Sequence, residues 1–376
     1  MIRKIIKDDI DKIIEIENKT LNETLGYDML NNIIDNNIMD AYVYVLNDIL
    51  GYISISFDGY TLEVLNFCVD TKYQNEGIGT KLLNYAIINA YKNNCKNVIL
   101  DVKNNNFKAI NLYESFGFKL IHRRLNYYKD NIDALVYELK LNDYNKTIDK
   151  ELLMTSKYIK TNDYIKYYDD YQFDKYYHNF YKLYNLDKIN EIIEENKDKT
   201  FLCFEYDKDF NIDGFIEKDI NIVMASFIKA INIKTNNKGI INIVNENNID
   251  SVKKILYEDS LKYGEDYSIK NTKRMIDFIL DNNSYGFIIK DDNKIIGFIN
   301  AYIENDICDL ENFFILDEYQ KKGYGSNLFK YALDFCKNKG CNIVTLVADD
   351  LDSPKEMYKK WGFAEIKKTY FLRRGK

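Results

Sequence analysis

Between residues 49 and 139 the spacing of apolar positions changes period several times, and the same changes recur in the same order from residue 285 onward. Residues 49–56 and 61–69 carry β-branched and aromatic residues in short runs, which predicts strands. Beyond Gly79 the apolar positions adopt helical spacing, with Leu82, Leu83, Ala86, Ile87, Ala90 and Tyr91 on one face. Residues 98–102 return to a strand pattern, 108–116 make a short helix, and 134–139 form a closing strand. The later stretch predicts strands at 285–291, 295–303 and 308–316. A helix then runs from Ser326 with Leu328, Phe329, Ala332, Leu333 and Cys336 inward, followed by a strand at 342–348 and a final helix and strand. The fold class expected is mixed α/β (α+β), with two domains that each carry a central sheet flanked by helices.

The two stretches are also alike residue by residue. Residues 65–79 match 311–325 at a constant offset, with the Asn, Phe, Tyr, Gln and both Gly coinciding. Residues 111–118 match 356–363 at an offset one residue shorter, which places the lost residue in an intervening loop. The repeat sets the expected domains at 1–142 and 239–376, with a linking module over 143–238. That middle stretch has nine tyrosines from Tyr158 to Tyr184, a helical segment near 187–195, and apolar strands at 201–206 and 220–227. A tyrosine-rich surface can stack on sugars or bases, but acidic residues balance the basic ones here, and packing is the simpler role.

Composition narrows the function classes. A chain of 376 residues, 46% hydrophobic and 30% charged, is globular and long enough for several cores. No apolar run approaches the roughly 18–20 residues that span a bilayer, and the N-terminus has no apolar signal core, which implies a cytoplasmic location. The net charge of −7 argues against nucleic acid as partner. An amine acceptor, a protein N-terminus or a small amine, fits better; oligomeric state is not legible. Six scattered cysteines without a CxxC pair, and only His122 and His178 beside them, imply no metal.

The chemistry concentrates in Gln74-Asn75-Glu76-Gly77-Ile78-Gly79-Thr80, which follows a predicted strand and opens a helix. Glycines allow a tight turn with exposed amides, and a helix N-terminus adds free N–H donors and a positive dipole end, together a seat for a pyrophosphate. The spacing is neither the dinucleotide-binding G-x-G-x-x-G nor the nucleotide triphosphate loop G-x-x-x-x-G-K-[ST].

Gln-x-x-Gly-x-Gly after a strand, followed by Asn106-Phe-Lys-Ala109-Ile-Asn-Leu112-Tyr113-Glu-Ser-Phe-Gly117-Phe118, resembles the GNAT acetyltransferase superfamily. The resemblance implies two acyl-CoA N-acyltransferase domains using acetyl-CoA. Phe67, Cys68 and Val69 would contact the acetyl-pantetheine arm. Gln74, Asn75, Glu76, Gly77, Ile78, Gly79 and Thr80 would hold the CoA phosphates, with Asn106 alongside. In the second copy Phe314 and Ile315 would face the arm, and Gln320, Lys321, Lys322, Gly323, Tyr324, Gly325 and Ser326 the phosphates. The stretch Arg123-Arg124-Leu125-Asn126-Tyr127-Tyr128 is similar to bacterial ribosomal-protein-alanine N-acetyltransferases, over about residues 1–141. That likeness implies transfer to a protein α-amino group, with Tyr113 as general acid, Asp101 at the position of the base, and Tyr127 and Tyr128 at the acceptor.

Acetyl transfer needs an ammonium to lose a proton, an oxyanion to be stabilised, and a thiolate to be protonated. An α-amino group with pKa near ~8 makes a modest demand on its base. Asp101 or Glu63 can serve, Glu63 also reading as a solvated strand residue. In the second copy Tyr358 holds the acid position, while Leu346 or Val347 falls at the base position and Leu351 replaces the motif Asn. There Asp309 and Glu311 are the alternative carboxylates. Two other functions stay open at this stage: a polyamine or aminoglycoside acetyltransferase, and a non-catalytic acyl-CoA sensor.

Overall fold

The computed structural model describes residues 1–21, 24–35, 39–169, 178–351 and 354–374. They form two compact units, Met1–Asn142 with Lys229–Ile231, and Asp143–Ile228 with Asn232–Lys376.

The first unit contains β1 (Ile2–Lys4), α1 (Ile10–Thr20), α2 (Gly26–Asp35), β2 (Met39–Val45), β3 (Ile49–Phe57), β4 (Thr61–Val69), α3 (Ile78–Lys92), β5 (Asn97–Lys103), α4 (Phe107–Ser115), β6 (Lys119–Tyr128) and β7 (Ile132–Lys140). Its seven-stranded sheet runs β1-β2-β3-β4-β5-β7-β6. Only β4 and β5 are parallel, as the α3 crossover between them requires. The α3 face anticipated from periodicity is buried throughout, and each of its leucines and isoleucines contributes about 1.5–3 kcal/mol of apolar burial. Ile10, Ile13, Ile16, Leu30 and Ile33 of α1 and α2 pack with Tyr52 and Cys68 in another cluster.

One irregularity positions the site. Ser54 pairs with Asn66 but Ile55 pairs with Val64, so Leu65 bulges out of β4. The parallel pairing of β4 with β5 stops at Val64 and Leu100, and the two strands diverge beyond it.

The second unit contains α5 (Asn145–Ile148), α6 (Lys150–Thr155), β8 (Lys157–Lys160), β9 (Tyr164–Tyr168), β10 (Phe180–Leu183), α7 (Ile189–Glu195), β11 (Leu202–Tyr206), β12 (Glu217–Phe227), β13 (Ile240–Ile243), α8 (Ile249–Ser260), α9 (Glu265–Ile279), β14 (Ser284–Asp291), β15 (Lys294–Glu304), β16 (Ile307–Ile315), α10 (Tyr324–Asn338), β17 (Ile343–Asp349), α11 (Pro354–Trp361) and β18 (Ala364–Arg374). All its strands join one eleven-stranded sheet, β13-β14-β15-β16-β17-β12-β18-β11-β10-β9-β8.

The stretch expected as a linking module therefore contributes the five strands β8–β12 to the sheet of the C-terminal copy. The order is symmetric about the β12–β18 pair. Moving outward on either side come an antiparallel neighbour (β17 or β11), a parallel one (β16 or β10), and antiparallel strands beyond. The first unit shows the same progression from β7 through β5, β4 and β3. Residues 143–228 are thus a third, shorter version of the pattern, with α7 joining its parallel strands. Their last strand, β12, fills the place in the C-terminal copy that β7 fills in the first unit. In return β18 closes the middle lobe against β11.

Candidate active sites

In the first unit the diverging strands leave alternate amides of β4 beyond Val64 without a partner on the β5 side. Phe67 and Val69 point toward the start of α3: a Cβ placed on Gly79 would lie 3.3 Å from Phe67 Cζ and 3.8 Å from Val69 Cγ2. Cys68, between them, points the other way into the α1–α2 cluster, where burial pushes its thiol up to about 12. Its side chain is therefore turned away from the start of α3, and only its backbone is left to meet a ligand there.

The turn after β4 is shaped by two left-handed residues, Asn75 (φ 67°) and Gly77 (φ 78°). Gln74 Nε2 donates to the Val69 carbonyl at 3.2 Å, so its side chain ties the turn to the strand. Helix α3 begins beyond Gly77, and the amides of Ile78, Gly79 and Thr80 precede the first helical hydrogen bond, Lys81 N to Gly77 O at 3.1 Å. Nothing lies within 4 Å of a Cβ built on Gly77, so this side of the turn is open. The open, amide-lined turn fits a pyrophosphate. Glu76 is exposed within it.

Helix α4 brings Tyr113 to Phe67, with ring centroids 6.4 Å apart, and Phe118 supports it from 5.9 Å. Burial, and then nearby Tyr128, push the Tyr113 hydroxyl above its ordinary range, so it keeps its proton at any physiological pH. Asn106, expected to touch the cofactor, caps this helix by accepting from Ala109 N at 3.2 Å.

Asp101 lies on β5, and Arg124 Nη1 stands 2.7 Å from its carboxylate. Burial pushes the Asp101 carboxyl up, while Arg124 and His122 pull it down. The Arg124 guanidinium also lies 5.1 Å from the Tyr127 ring, and Tyr127 packs edge-on to Tyr128 at 5.2 Å. Asp101, Arg124, Tyr127 and Tyr128 thus belong to one contact chain. Glu63 is exposed where β4 and β5 are still paired, before the divergence, which favours its reading as a solvated strand residue.

One carboxylate escaped the sequence reading. Glu17 of α1 is fully buried and accepts from the Tyr52 hydroxyl, from Asn66 Nδ2 at 2.8 Å and from Leu25 N at 3.2 Å. Asn66 N in turn donates to Ser54 Oγ at 3.0 Å, so the bulge is held from both sides. The sequence also points to the segment 21–27 as one that sets the acceptor; its residues 22–23 lie outside the described residues.

The second copy repeats the turn. Gln320 Nε2 donates to Ile315 O at 3.0 Å, Lys321 and Gly323 have φ of 57° and 93°, and α10 begins at Tyr324, followed by Gly325 and Ser326. A Cβ on Gly325 would lie 3.2 Å from Phe313 Cζ and 3.4 Å from Ile315 Cγ1. Phe313 is therefore the counterpart of Phe67; the ring of Phe314, expected to face the arm, packs toward Phe298, with ring centroids 6.1 Å apart. Lys322 Nζ donates to Glu318 O at 2.7 Å. Unlike the first turn, this one is clamped: Asn236 donates to Lys322 O at 3.0 Å and accepts from Asn327 Nδ2 at 2.8 Å. Tyr358 is buried among Phe329, Trp361 and Phe363 at 5.7–5.8 Å. Asp309 is buried and accepts from Thr345 Oγ1 at 2.5 Å, whereas Glu311 lines a cavity.

Comparisons with known proteins agree with this geometry. Residues 10–118 and 250–363, together more than half of the chain, match the acetyltransferase (GNAT) family. N-alpha-acetyltransferase 30 of Xenopus laevis is 40% identical over 73 residues, 19% of this chain and 27% of that protein's length. A putative [ribosomal protein bS18]-alanine N-acetyltransferase of Bacillus subtilis (strain 168) is 26% identical over 145 residues, covering 38% of this chain and 96% of that protein. A crystal structure of a conserved protein of unknown function from Staphylococcus epidermidis ATCC 12228 superposes with a TM-score of 0.50 at 19% identity, covering 62% of this chain and 99% of that one. Among the described residues no helix is long and apolar enough to cross a membrane. With the glycine turn present twice and the family match covering both copies, the chain belongs to the GNAT family of acetyltransferases.

Proposed function

We propose that the chain is an acetyl-CoA-dependent N-acetyltransferase whose first copy acts on a protein N-terminal α-amino group. The observation that carries this reading is the placement of Tyr113 against Phe67 beside an open acceptor face. Strand β6 is the edge of its sheet and is exposed along nearly its whole length, including Leu120, Ile121, Leu125 and Tyr127. An edge of this kind accommodates a polypeptide, whose length an enclosed pocket would reject.

Acetyl-CoA, when bound, supplies an activated acetyl group. The amides at Ile78, Gly79 and Thr80 seat its pyrophosphate, and those of β4 beyond the bulge orient its carbonyl. Tyr127 and Tyr128 hold the acceptor, and Asp101 takes up the ammonium proton directly or through water. An α-amino group, with pKa near ~8, is already partly neutral at pH 7, so a carboxylate paired with arginine suffices as base. Tyr113 keeps its hydroxyl proton and presents it to the departing sulfur.

The test is acetyl-CoA-dependent thiol release by the full chain with Ala- and Ser-starting peptides, N-blocked lysine peptides, polyamines and aminoglycosides. Turnover of the free N-terminal peptides that collapses in Tyr113→Phe is expected. Peptide turnover requiring a lysine side chain, or indifferent to Tyr113→Phe, overturns the assignment.

A further inference from the structure

The second unit contains a half-open cavity of about 600 Å³, inside the range of small-molecule sites. Its floor includes Glu311, Asn312, Phe313 and Phe314 of β16 and Val347 of β17. These residues follow the last parallel pair of those strands, Asp309 with Thr345, so the cavity opens on the divergence that in the first copy adjoins Phe67. The opposite walls come from elsewhere. Phe180 and Lys182 of β10 and Glu205 of β11 belong to the middle lobe, Lys367 and Phe371 to the exchanged strand β18, and Tyr267 and Met275 to α9.

We propose that this cavity is the acceptor chamber of a second transferase centre, and that its acceptor is a small zwitterionic primary amine, an α-amino acid with an apolar or aromatic side chain. The proposal rests on the acetyltransferase reading but uses a different copy and a different acceptor. The charges choose among small amines, because carboxylates and lysines both line the walls. Lys182 Nζ lies 2.6 Å from Asp149 Oδ1 and 4.0 Å from Glu205, and Lys367, Lys262, Asp259 and Glu311 add both signs. A polyamine calls for carboxylates uninterrupted by lysine, and a phosphorylated acceptor calls for the reverse. Mixed charge with aromatic walls complements one ammonium, one carboxylate and an apolar side chain. His178, driven down to about 3 by burial and by Arg274, adds no charge at neutral pH.

Glu311 is the carboxylate on the wall that bears the divergence, and the ammonium is directed there. In the transfer the acceptor nitrogen bonds to the acetyl carbon of acetyl-CoA and the carbon–sulfur bond breaks. Of the two protons the ammonium gives up, one ends on the sulfur and one in solvent.

The test uses the full chain with acetyl-CoA and free phenylalanine, leucine, methionine, spermidine and the Ala-starting peptide in parallel. At least one apolar amino acid should be acetylated and should bind by calorimetry. Asn271→Phe, which fills the chamber from α9, should lower its kcat/KM by about tenfold or more while peptide turnover is unchanged. Tyr113→Phe should show the reverse. Lys367→Met, at a partly exposed position, serves if Asn271→Phe melts early, and should raise KM for the amino acid by about tenfold with little change in kcat. Neither binding nor turnover of any amino acid at millimolar concentration overturns the proposal. So does acceptance of spermidine alone, or amino-acid turnover that ignores both chamber variants. The peptide arm reports on the first copy separately, so failure of one reading is distinguishable from failure of the other.

Discussion

Arg124 holds a guanidinium nitrogen 2.7 Å from the Asp101 carboxylate, and the two residues come from β6 and β5, the strands on either side of β7. If Asp101 is the base, it acts only when ionised. Burial raises its pKa and Arg124 lowers it, so removing the arginine raises it further. Arg124→Ala should therefore move the acidic limb of kcat/KM for peptide acetylation to higher pH, measured by thiol release across pH 5–9. Asp101→Asn should lower kcat by about 10²–10⁴-fold. A carboxyl whose pKa is raised on folding contributes stability below its unfolded pKa and loses it as pH rises through the folded value. Asp101→Asn should thus leave the melting temperature at pH 7 unchanged or higher, separating its effect on rate from damage to the fold.

Tyr113→Phe keeps the contact with Phe67 and removes only the hydroxyl. A kcat lowered by about 10²–10⁴-fold with unchanged acetyl-CoA affinity is expected, checked by kinetics and calorimetry. Because burial raises the Tyr113 pKa, the wild-type rate should show no tyrosine-dependent alkaline fall below pH 10.

The two glycines of the first turn fail differently. Gly79→Val forces Phe67 to move from a Cβ already only 3.3 Å away, and should weaken acetyl-CoA binding by about tenfold or more. Gly77→Ala meets no neighbour but adopts φ 78°, and should cost about 1–2 kcal/mol of stability by chemical denaturation.

Glu17→Ala leaves the Tyr52 hydroxyl and Asn66 Nδ2 buried without their acceptor. An unsatisfied buried group costs about 1–3 kcal/mol, so an unfolding free energy lower by a few kcal/mol is expected, with partial rescue in Glu17→Gln. Since Asn66 adjoins the bulge, the Gln variant should lose more in kcat than in KM.

Residues 143–376 should be soluble as a fragment, whereas 239–376 should aggregate. The shorter fragment lacks β12 and bares the inner edges of β17 and β18, an invitation to pair with other chains. Size-exclusion chromatography of the two fragments decides this.

What was legible in the sequence followed local periodicity. The buried faces of α3 and α10 and the strands β4 and β16 come from spacing within about fifteen residues, which needs no knowledge of partners. The two glycine turns were legible because their geometry is set by short-range glycine and asparagine conformations. Pairings across the chain were not. Arg124 occupies Asp101 from another strand, and Asn236 clamps the Gly323 turn from a distant loop. The middle lobe read as a separate piece because its closing strand, β18, comes from the far end of the chain. Glu17 left a usable trace, since it continues the stripe of Ile10, Ile13 and Ile16 where a charged residue has no place unless it is bonded. Phe313 also left one: the constant offset that aligns the two turns places it, and not Phe314, opposite Phe67.

The mutual insertion of β12 and β18 has a bearing on how the second unit meets dilution. Two lobes that complete each other's sheet across separate polypeptides would come apart as their concentration fell, and any chamber walled by both would empty with them. Here both lobes lie on one chain, so their association is a first-order event governed by tether length rather than by abundance. The chamber between β16 and the middle lobe should therefore keep its shape in a cell holding only a few copies of the protein.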